Sequence, residues 1–542
     1  MLAFSMLDMV YFRFTLRRST WMIFKEFSNE NNITTILLKS LLHYWYMLPL
    51  FIAFSFLLGC VFKIISKSIE KKTQTTYLHI GNFAMLLLIP VLAIGGVRGD
   101  FKYTTRPITM SNAGEYSKNP VLVPLILNTP FCIFRTMQQE FYTIENYFKE
   151  EQVAEYFNPI RNLSKKESFR FNNVVIIILE SFGRESVGFY NKELANGTYK
   201  GYTPFLDSLL GEGRTNLYSF ANGRKSIDAL PSVLMGIPAG EIPFVLTPYI
   251  TNKTKSLPAI LNEKGYTTAF FHGAPNGSMG FKALNNLIGI QKYYGMNEYG
   301  NDADFDGTWG IWDEPFFQFT ARKLNSLKQP FFGTLFSVSS HEPFVVPEQY
   351  KNKFDKGDHP LRETIGYTDM ALRRFFETAK TMKWFKNTLF VITGDHASIS
   401  HFPEYNTSWG NMSVPIVFYH PGDSSIKKVE KNIVQQVDIM PSVLSYLHYD
   451  KPYLSFGENI FDENRKNIAI NFHHGFQLFD GQYVLQLNDK NASSLYNYIK
   501  DPKLNDNLLS KMRSKKDSME NTVRAFIQQY HNRLIDDRLV VE

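Results

Sequence analysis

The chain has 542 residues, 44% of them hydrophobic and 20% charged, so a packed core is within reach and wholesale disorder is excluded. Its two cysteines, Cys60 and Cys132, rule out both a disulfide-stapled secreted scaffold and a cysteine-ligated zinc module. The net charge of +7 divides unevenly: residues 1–100 hold ten Lys/Arg against five Asp/Glu and the remainder 48 against 46, so no basic stripe calls for nucleic acid.

Residues 1–12 are apolar apart from Asp8 and too short to span a bilayer. They carry no signal-peptide n-region or cleavage site and read as a partial or tilted helix, the start of a chain that begins inside a longer membrane domain. Uncharged runs follow at 44–62 and 78–97, of 19 and 20 residues, each the length of a transmembrane helix. Lys63, Lys67, Lys71 and Lys72 between them, opposed by Glu70 alone, mark a cytoplasmic loop. A multi-pass protein of the cell membrane is therefore expected, with everything after Arg98 extracytoplasmic. Residues 101–165, from the Arg106-Pro107 turn through a helical stretch at 137–157, read as a juxtamembrane linker with its aromatics at the interface.

From Phe171 the pattern becomes α/β. Val174–Leu179 is a continuous, mostly β-branched run, as in a strand buried on both faces of a parallel sheet. Similar runs stand at 268–271, 331–338 and 388–393, separated by amphipathic stretches at 204–210, 257–264 and 367–382. The expected fold is a mostly parallel central sheet flanked by helices over 166–465, with a small C-terminal subdomain and tail over 466–542.

Polar residues fall where such a sheet places its site, after the strands. Glu180, His272, His341, Asp395 and His396 each follow a strand-like run. Asp395 and His396 offer a hard oxygen and a borderline nitrogen to one divalent cation, with Gly394 letting the backbone turn sharply and Glu180 as third ligand. Three ligands leave a position open, and Ser226, opening a helix after Arg224 and Lys225, offers a hydroxyl whose pKa a metal would lower. Read alone, Ser226 is more simply an N-cap, with Asp228 in the first turn, and His272 is equally a core histidine.

The segments NVVIIILESF (173–182), NGRKS (222–226), FHG (271–273), SSHEPF (339–344) and TGDHA (393–397) occur in that order. Together they resemble the sulfatase/alkaline-phosphatase superfamily, and within it the lipoteichoic-acid-synthase-like branch of membrane-anchored phosphotransferases. The resemblance covers roughly residues 80–505 and implies metal ligation by Glu180, Asp395, His396 and Ser226. Manganese is the usual ion of that branch, with zinc, magnesium or calcium as the other divalent choices. It further implies Ser226 as the covalent nucleophile, His341 as its catalytic partner, and His272, Arg224 and Lys225 on the substrate phosphate. His401 and the pair His473-His474 have no counterpart.

The departures are equally specific. Ser226 is followed by Ile227-Asp228-Ala229-Leu230, without the x-Pro-x-Arg maturation signal of sulfatases. The acid, Trp and Arg that follow FHG in glycerophosphate-polymerising members are Ala274, Met279 and Phe281. Two cysteines cannot supply the disulfides of the phosphoethanolamine transferases. The resemblance thus implies transfer of a phosphoryl-linked headgroup, of phosphoglycerol or phosphoethanolamine type, from a phospholipid to a glycan or lipid acceptor. Hydrolysis by the same site is the alternative, and an idle metal-binding scaffold a third reading.

Overall fold

The computed structural model describes residues 2–15, 17–21, 23, 42–70, 77–98, 101, 108–137, 142–162, 167–488 and 491–541. They fall into two compact units, Met1–Tyr142 and Thr143–Glu542. Lys71 and Lys72 of the expected loop, and the Arg106-Pro107 turn, lie outside the described residues.

In the first unit, α1 (Leu2–Thr15) carries the buried Asp8, whose carboxylate accepts from Arg18 Nη1 and from Ser19 N, both at 2.6 Å. The helix α2 (Met47–Glu70) holds a segment long and apolar enough to cross a membrane, Met47–Lys67, with a mean hydropathy of 2.3 and none of it buried. The second expected span is helical as α3 (Tyr77–Arg98), and within it Phe83–Gly96 is a shorter apolar stretch among the described residues. Among the described residues, α2 is thus the one helix that meets the requirement for a span. A short helix, α4 (Thr129–Thr136), begins at Asn128, whose side chain accepts from Phe131 N at 3.3 Å.

The second unit opens with α5 (Glu150–Tyr156) and β1 (Ile160–Arg161). Of the helical stretch expected at 137–157, only α5 is helical among the described residues. The chain before it is bound instead to side chains of the last helix. Asn532 pairs with both Glu145 N and O, at 2.9 and 2.8 Å, and Gln528 with both Phe148 N and O at the same two distances. These bonds satisfy the backbone without a helix.

Eight strands make the central sheet: β2 (Asn173–Leu179), β3 (Arg214–Phe220), β4 (Thr267–His272), β5 (Lys292–Tyr294), β6 (Phe331–Phe336), β7 (Thr388–Gly394), β8 (Ile416–Tyr419) and β9 (Lys428–Gln435). Their order is β5-β4-β6-β2-β7-β8-β3-β9, parallel except for β8. All seven residues of β2 are buried, as their β-branched side chains demand in a strand with parallel neighbours on both sides. β6 and β7 flank it in register, Ile178 opposite Phe336 and Thr393, so the strand ends that carry polar residues emerge along one edge.

The intervening helices are α6 (Pro204–Glu212), α7 (Ser226–Met235), α8 (Leu257–Glu263), α9 (Phe281–Leu287), α10 (Asp313–Asn325), α11 (Pro360–Ala379) and α12 (Ile439–Tyr446). Phe316 and Phe317 of α10 and Leu372 and Phe375 of α11 join Val175, Ile177 and Leu179 of β2 in one core. α11 starts seven residues ahead of the expected Tyr367, with Pro360 at its first position and the His359 ring accepting from Leu361 N at 3.2 Å. The chain closes with β10 (Tyr453–Leu454), paired to β1, and an antiparallel meander, β11 (Ile468–Phe472), β12 (Phe476–Asp480), β13 (Tyr483–Asn488) and β14 (Asn491–Asn497). The last helix, α13 (Arg513–Ile535), packs on α5 and on the meander.

Candidate active site

Glu180 and Asp395 leave β2 and β7 side by side, both buried, and His396 follows at once. The backbone is locked here: Asp395 N donates to Leu179 O at 3.0 Å, and Ser181 N and His396 N both donate to Asp395 Oδ1, at 2.7 and 2.6 Å. Gln436 Nε2 donates to the carbonyls of Gly394 and Asp395, both at 2.8 Å. Gly394 serves this close approach rather than a sharp turn. It lies within β7, and a Cβ on it would stand 2.3 Å from Phe182 O. The residue with the left-handed backbone is Ser181, at φ 59°.

The polar atoms of Glu180, Asp395 and His396 lie within 4.8 Å of one another. His396 Nε2 is 3.3 Å from Asp395 Oδ2 and 3.6 Å from Glu180 Oε1, and its Nδ1 faces Ala397 O at 2.9 Å, which aims Nε2 into the cluster. Asp395 Oδ2 is buried and has no hydrogen-bond partner among the described residues. Burial first, then Glu180, pushes the Asp395 carboxyl up to about 8. Burial works to raise Glu180 too, but His396 and His341 outweigh it and hold Glu180 below its ordinary value. Burial would lower His396, yet Asp395 and then Glu180 raise it. Two buried carboxylates with an orphaned oxygen and an imidazole nitrogen form a donor set that fits one hard-to-borderline divalent cation.

Ser226 completes the cluster. It is the first residue of α7, and its Oγ donates to Glu180 Oε2 at 2.9 Å and lies 3.4 Å from His396 Nε2. It does not cap its helix. That work falls to Asp228, whose Oδ2 accepts from Arg224 N and Lys225 N, both at 3.2 Å, while burial pushes its carboxyl up to about 6. The side chains of Arg224 and Lys225 are exposed beside the serine.

The two remaining histidines differ. His341 is half-buried near enough for its charge to act on Glu180, and it stacks on Trp309 with ring centroids 3.8 Å apart. His272 is buried among Phe270, Phe281 and Phe336, its Nδ1 3.2 Å from Phe336 O and its Nε2 without a hydrogen-bond partner. Burial lowers it to about 4. Phe281 is thus part of the packing around His272.

Three further residues shape the site. Trp309 covers His341, and Asp313 accepts from Val338 N at 2.8 Å and Ser339 N at 3.2 Å, fixing the turn that leads to His341. Asn222 ties the Ser226 loop to β9 and β11, donating to Gln435 Oε1 and Ile470 O, both at 2.8 Å. Each acts across a long sequence separation, so no local pattern marks it.

The description "Sulfatase" covers residues 172–449 of this chain. Lipoteichoic acid synthase 1 of Bacillus subtilis (strain 168) is 29% identical over 367 residues, which cover 62% of this chain and 53% of that protein. Lipoteichoic acid synthase of Staphylococcus aureus (strain USA300) is 28% identical over 372 residues, 62% of this chain and 54% of that one. The chain therefore spans about half the length of the curated relatives it matches. A solved alkaline phosphatase superfamily protein from Vibrio parahaemolyticus shares the fold at a TM-score of 0.62, with 19% identity, over 74% of this chain and 99% of that one. Lipoteichoic acid synthase LtaP from Listeria monocytogenes does so at 0.58, with 22% identity, over 71% and 98%.

Proposed function

This chain belongs to the sulfatase family, and from that premise we propose that it transfers a phosphoryl-linked headgroup from a phospholipid to a glycan or lipid acceptor through a covalent Ser226 intermediate. The observation that carries the reading is the position of Ser226 Oγ, 2.9 Å from Glu180 Oε2 and 3.4 Å from His396 Nε2. A hydroxyl held among the candidate metal ligands is placed to be activated, which an N-cap serine is not. The similarity to lipoteichoic acid synthases supports a phosphoglycerol-type donor, although Ala274, Met279 and Phe281 stand where the resemblance would place an acid, a Trp and an Arg.

Glu180, Asp395 and His396 would hold one divalent cation, manganese in the first instance, which when bound supplies Lewis acidity to the serine hydroxyl and to a phosphate oxygen. Ser226 Oγ attacks phosphorus, and its proton passes to solvent. The new O–P bond forms as the bond from phosphorus to the diacylglycerol oxygen breaks. His341 faces the developing charge and donates its own proton to the leaving oxygen. In the second step an acceptor hydroxyl attacks the phosphoserine and gives its proton to His341, the Ser226 Oγ–phosphorus bond breaks, and Oγ takes a proton from solvent as Ser226 is released. The apolar helix α2 supports a membrane anchor, and a multi-pass arrangement with the catalytic unit extracytoplasmic would bring the site to its lipid substrate at high effective concentration.

The test is diacylglycerol release by the purified full chain from a panel of labelled phospholipids, with manganese and with chelator, beside Ser226→Ala. Metal-dependent release that disappears in the variant is expected, and the responsive headgroup names the donor. Release from no lipid, with turnover of small phosphodiesters, would replace the transferase by the hydrolase.

A further inference from the structure

We propose that Trp309 is a positioning residue for the proton donor His341, locking its imidazole in the tautomer whose Nε2 serves the leaving oxygen. The proposal rests on the acid role given to His341 in the transfer reading above and names the residue that sets it up.

The segment that carries Trp309 is a tight hairpin. Phe305 and Ile311 form an antiparallel bridge, Asp306 N donates to Gly310 O at 2.8 Å, and Trp312 N to Asp304 O at 3.0 Å. Within it Asp306 Oδ1 accepts from Thr308 N and Trp309 N, both at 2.7 Å, and from Gly310 N at 3.1 Å. Three N–H groups on one carboxylate oxygen leave the backbone at Trp309 little freedom. The hairpin is also tied to the chain just beyond β4. Ile311 N donates to Gly273 O at 3.0 Å, and a Cβ on Gly310 would stand 2.7 Å from that same carbonyl. Trp309 is thus an arm held firm beside the His272 corner and reaching to the His341 turn.

At its far end the indole makes two contacts with that turn. Its ring lies on the His341 imidazole, with centroids 3.8 Å apart and planes at 39°. Its Nε1–H donates to Glu342 O. The same carbonyl stands 3.3 Å from His341 Nδ1. A carbonyl oxygen can only accept, so this contact requires the proton on Nδ1 and leaves Nε2 as the exchanging nitrogen. The two lone pairs of Glu342 O are thereby divided between Trp309 and His341. Trp309 sets the direction of the carbonyl, the carbonyl sets the tautomer, and the indole covers one face of the imidazole. Asp313 acts elsewhere, on the backbone of Val338 and Ser339 ahead of the turn.

The chemistry needs one nitrogen to do both halves of the proton transfer. With Nδ1–H kept on Glu342 O, Nε2 gives its proton to the diacylglycerol oxygen as the bond from phosphorus to that oxygen breaks. It takes a proton back from the acceptor hydroxyl in the second step. A proton donor held in a single orientation within reach of the reacting oxygen is more efficient than one free to turn.

The experiment uses the purified full chain with manganese and measures kcat/KM for release of the leaving alcohol, which in a two-step transfer reports the first step alone. The probes are glycerol phosphodiesters whose second ester is 4-nitrophenyl, 2,2,2-trifluoroethyl or n-octyl, so that the leaving alcohol becomes steadily less acidic. A nitrophenolate departs without a proton, whereas an alkoxide needs one. His341→Ala is expected to lose about a hundredfold on the octyl ester and far less on the nitrophenyl ester. Trp309→Phe keeps a ring but not the N–H, and should show the same trend with a loss of about tenfold on the octyl ester. The double variant should be no slower than His341→Ala, since without the imidazole there is nothing left to position. A Trp309 that merely supports the fold would cost every ester the same factor. Uniform loss across the esters, no loss, or additive losses in the double variant overturns the proposal. Loss in His341→Ala that ignores the leaving alcohol strikes the acid role itself and the proposal with it, while turnover retained in Ser226→Ala strikes only the covalent reading. A second readout is independent of turnover and decides alone if the native chain consumes none of the esters. In the full chain labelled with 15N-histidine, and with the ring neutral, the His341 signal (assigned by its absence in His341→Ala) should show a protonated Nδ1. In Trp309→Phe it should show a mixture of tautomers, and one unchanged tautomer in both proteins overturns the proposal as well.

Discussion

Ser226 opens α7 but turns its side chain away from that helix, to Glu180, because Asp228 has taken over the capping of Arg224 N and Lys225 N. From sequence the serine taken alone reads first as a cap, and only its position in space, with Oγ on Glu180, sets it among the candidate ligands. The metal-ligand candidates were legible because Glu180, Asp395 and His396 each follow an apolar run, and β2 and β7 are neighbours. Asp313 was not legible, since it lies 25 residues from the Val338 amide it binds. It is buried, pushed up to about 6 by burial, and receives Val338 N, Ser339 N and, at 2.7 Å, Thr368 Oγ1. In Asp313→Asn an amide NH2 would face one of these donors, leaving an unpaired group worth about 1–3 kcal/mol. The expected outcome is a lower melting temperature and a several-fold lower kcat, from displacement of the His341 turn, with manganese affinity unchanged by titration. A loss of metal affinity in step with kcat would place Asp313 with the ligand cluster instead.

At the scale of elements, the parallel strands announced themselves and the fastening of the helices did not. β2 could be read from NVVIIIL because a strand with neighbours on both sides and helices over both faces has no solvent face to mark with polar residues. The N-terminus of α6 shows the opposite case. Its donors Phe205 N and Leu206 N are taken not by a local cap but by Asp369 of α11, both at 2.9 Å and more than 160 residues away. Burial pushes the Asp369 carboxyl up to about 7, against the pull of the two N–H bonds and with Asp207 adding to the rise. A folded-state value above the ordinary carboxylate range means the native protein holds more protons than the unfolded chain in that interval. Its contribution to stability is therefore complete below about pH 4 and is lost as pH rises to about 7. Asp369→Asn removes the titration while keeping one acceptor. The variant should be less stable by roughly 1 kcal/mol at about pH 4, and its melting temperature should fall less steeply than the native protein's across that interval, so that the deficit shrinks as pH rises. Parallel profiles for the two proteins would rule out Asp369 as the source of the slope.

At the scale of the whole molecule, two questions bear on the Thr143–Glu542 unit: what a cation does for it, and where it begins. Glu180, Asp395 and His396 put two buried carboxylates beside one imidazole, an arrangement that strongly favours a bound cation over the bare protein. A ligand at a hundredfold over its Kd stabilises the native state by about 2.7 kcal/mol, so chelation should lower the melting temperature by several degrees. An unchanged melt after verified metal removal would count against the three-ligand set. The beginning of the unit is a separate matter, because composition turns α/β only at about 166, whereas the compact unit starts at Thr143. The described residues of the intervening chain are fastened at several points: Glu145 and Phe148 to Asn532 and Gln528, β1 to β10, and Arg161 to Glu458 at 3.4 Å. Val153 and Phe157 are 3% and 4% exposed, and the Phe157 ring packs on Phe456 and Phe526. Two such side chains lost from the core cost roughly 1.5–3 kcal/mol each, and truncation would also leave Asn532 and Gln528 without their backbone partners. A fragment beginning at Thr143 should therefore be soluble and melt in one cooperative transition, while one beginning at 166 should melt several degrees lower and expose α13 to proteolysis. Equal melting temperatures for the two fragments would show that the segment 143–165 adds nothing to the catalytic unit and would restore the boundary read from composition.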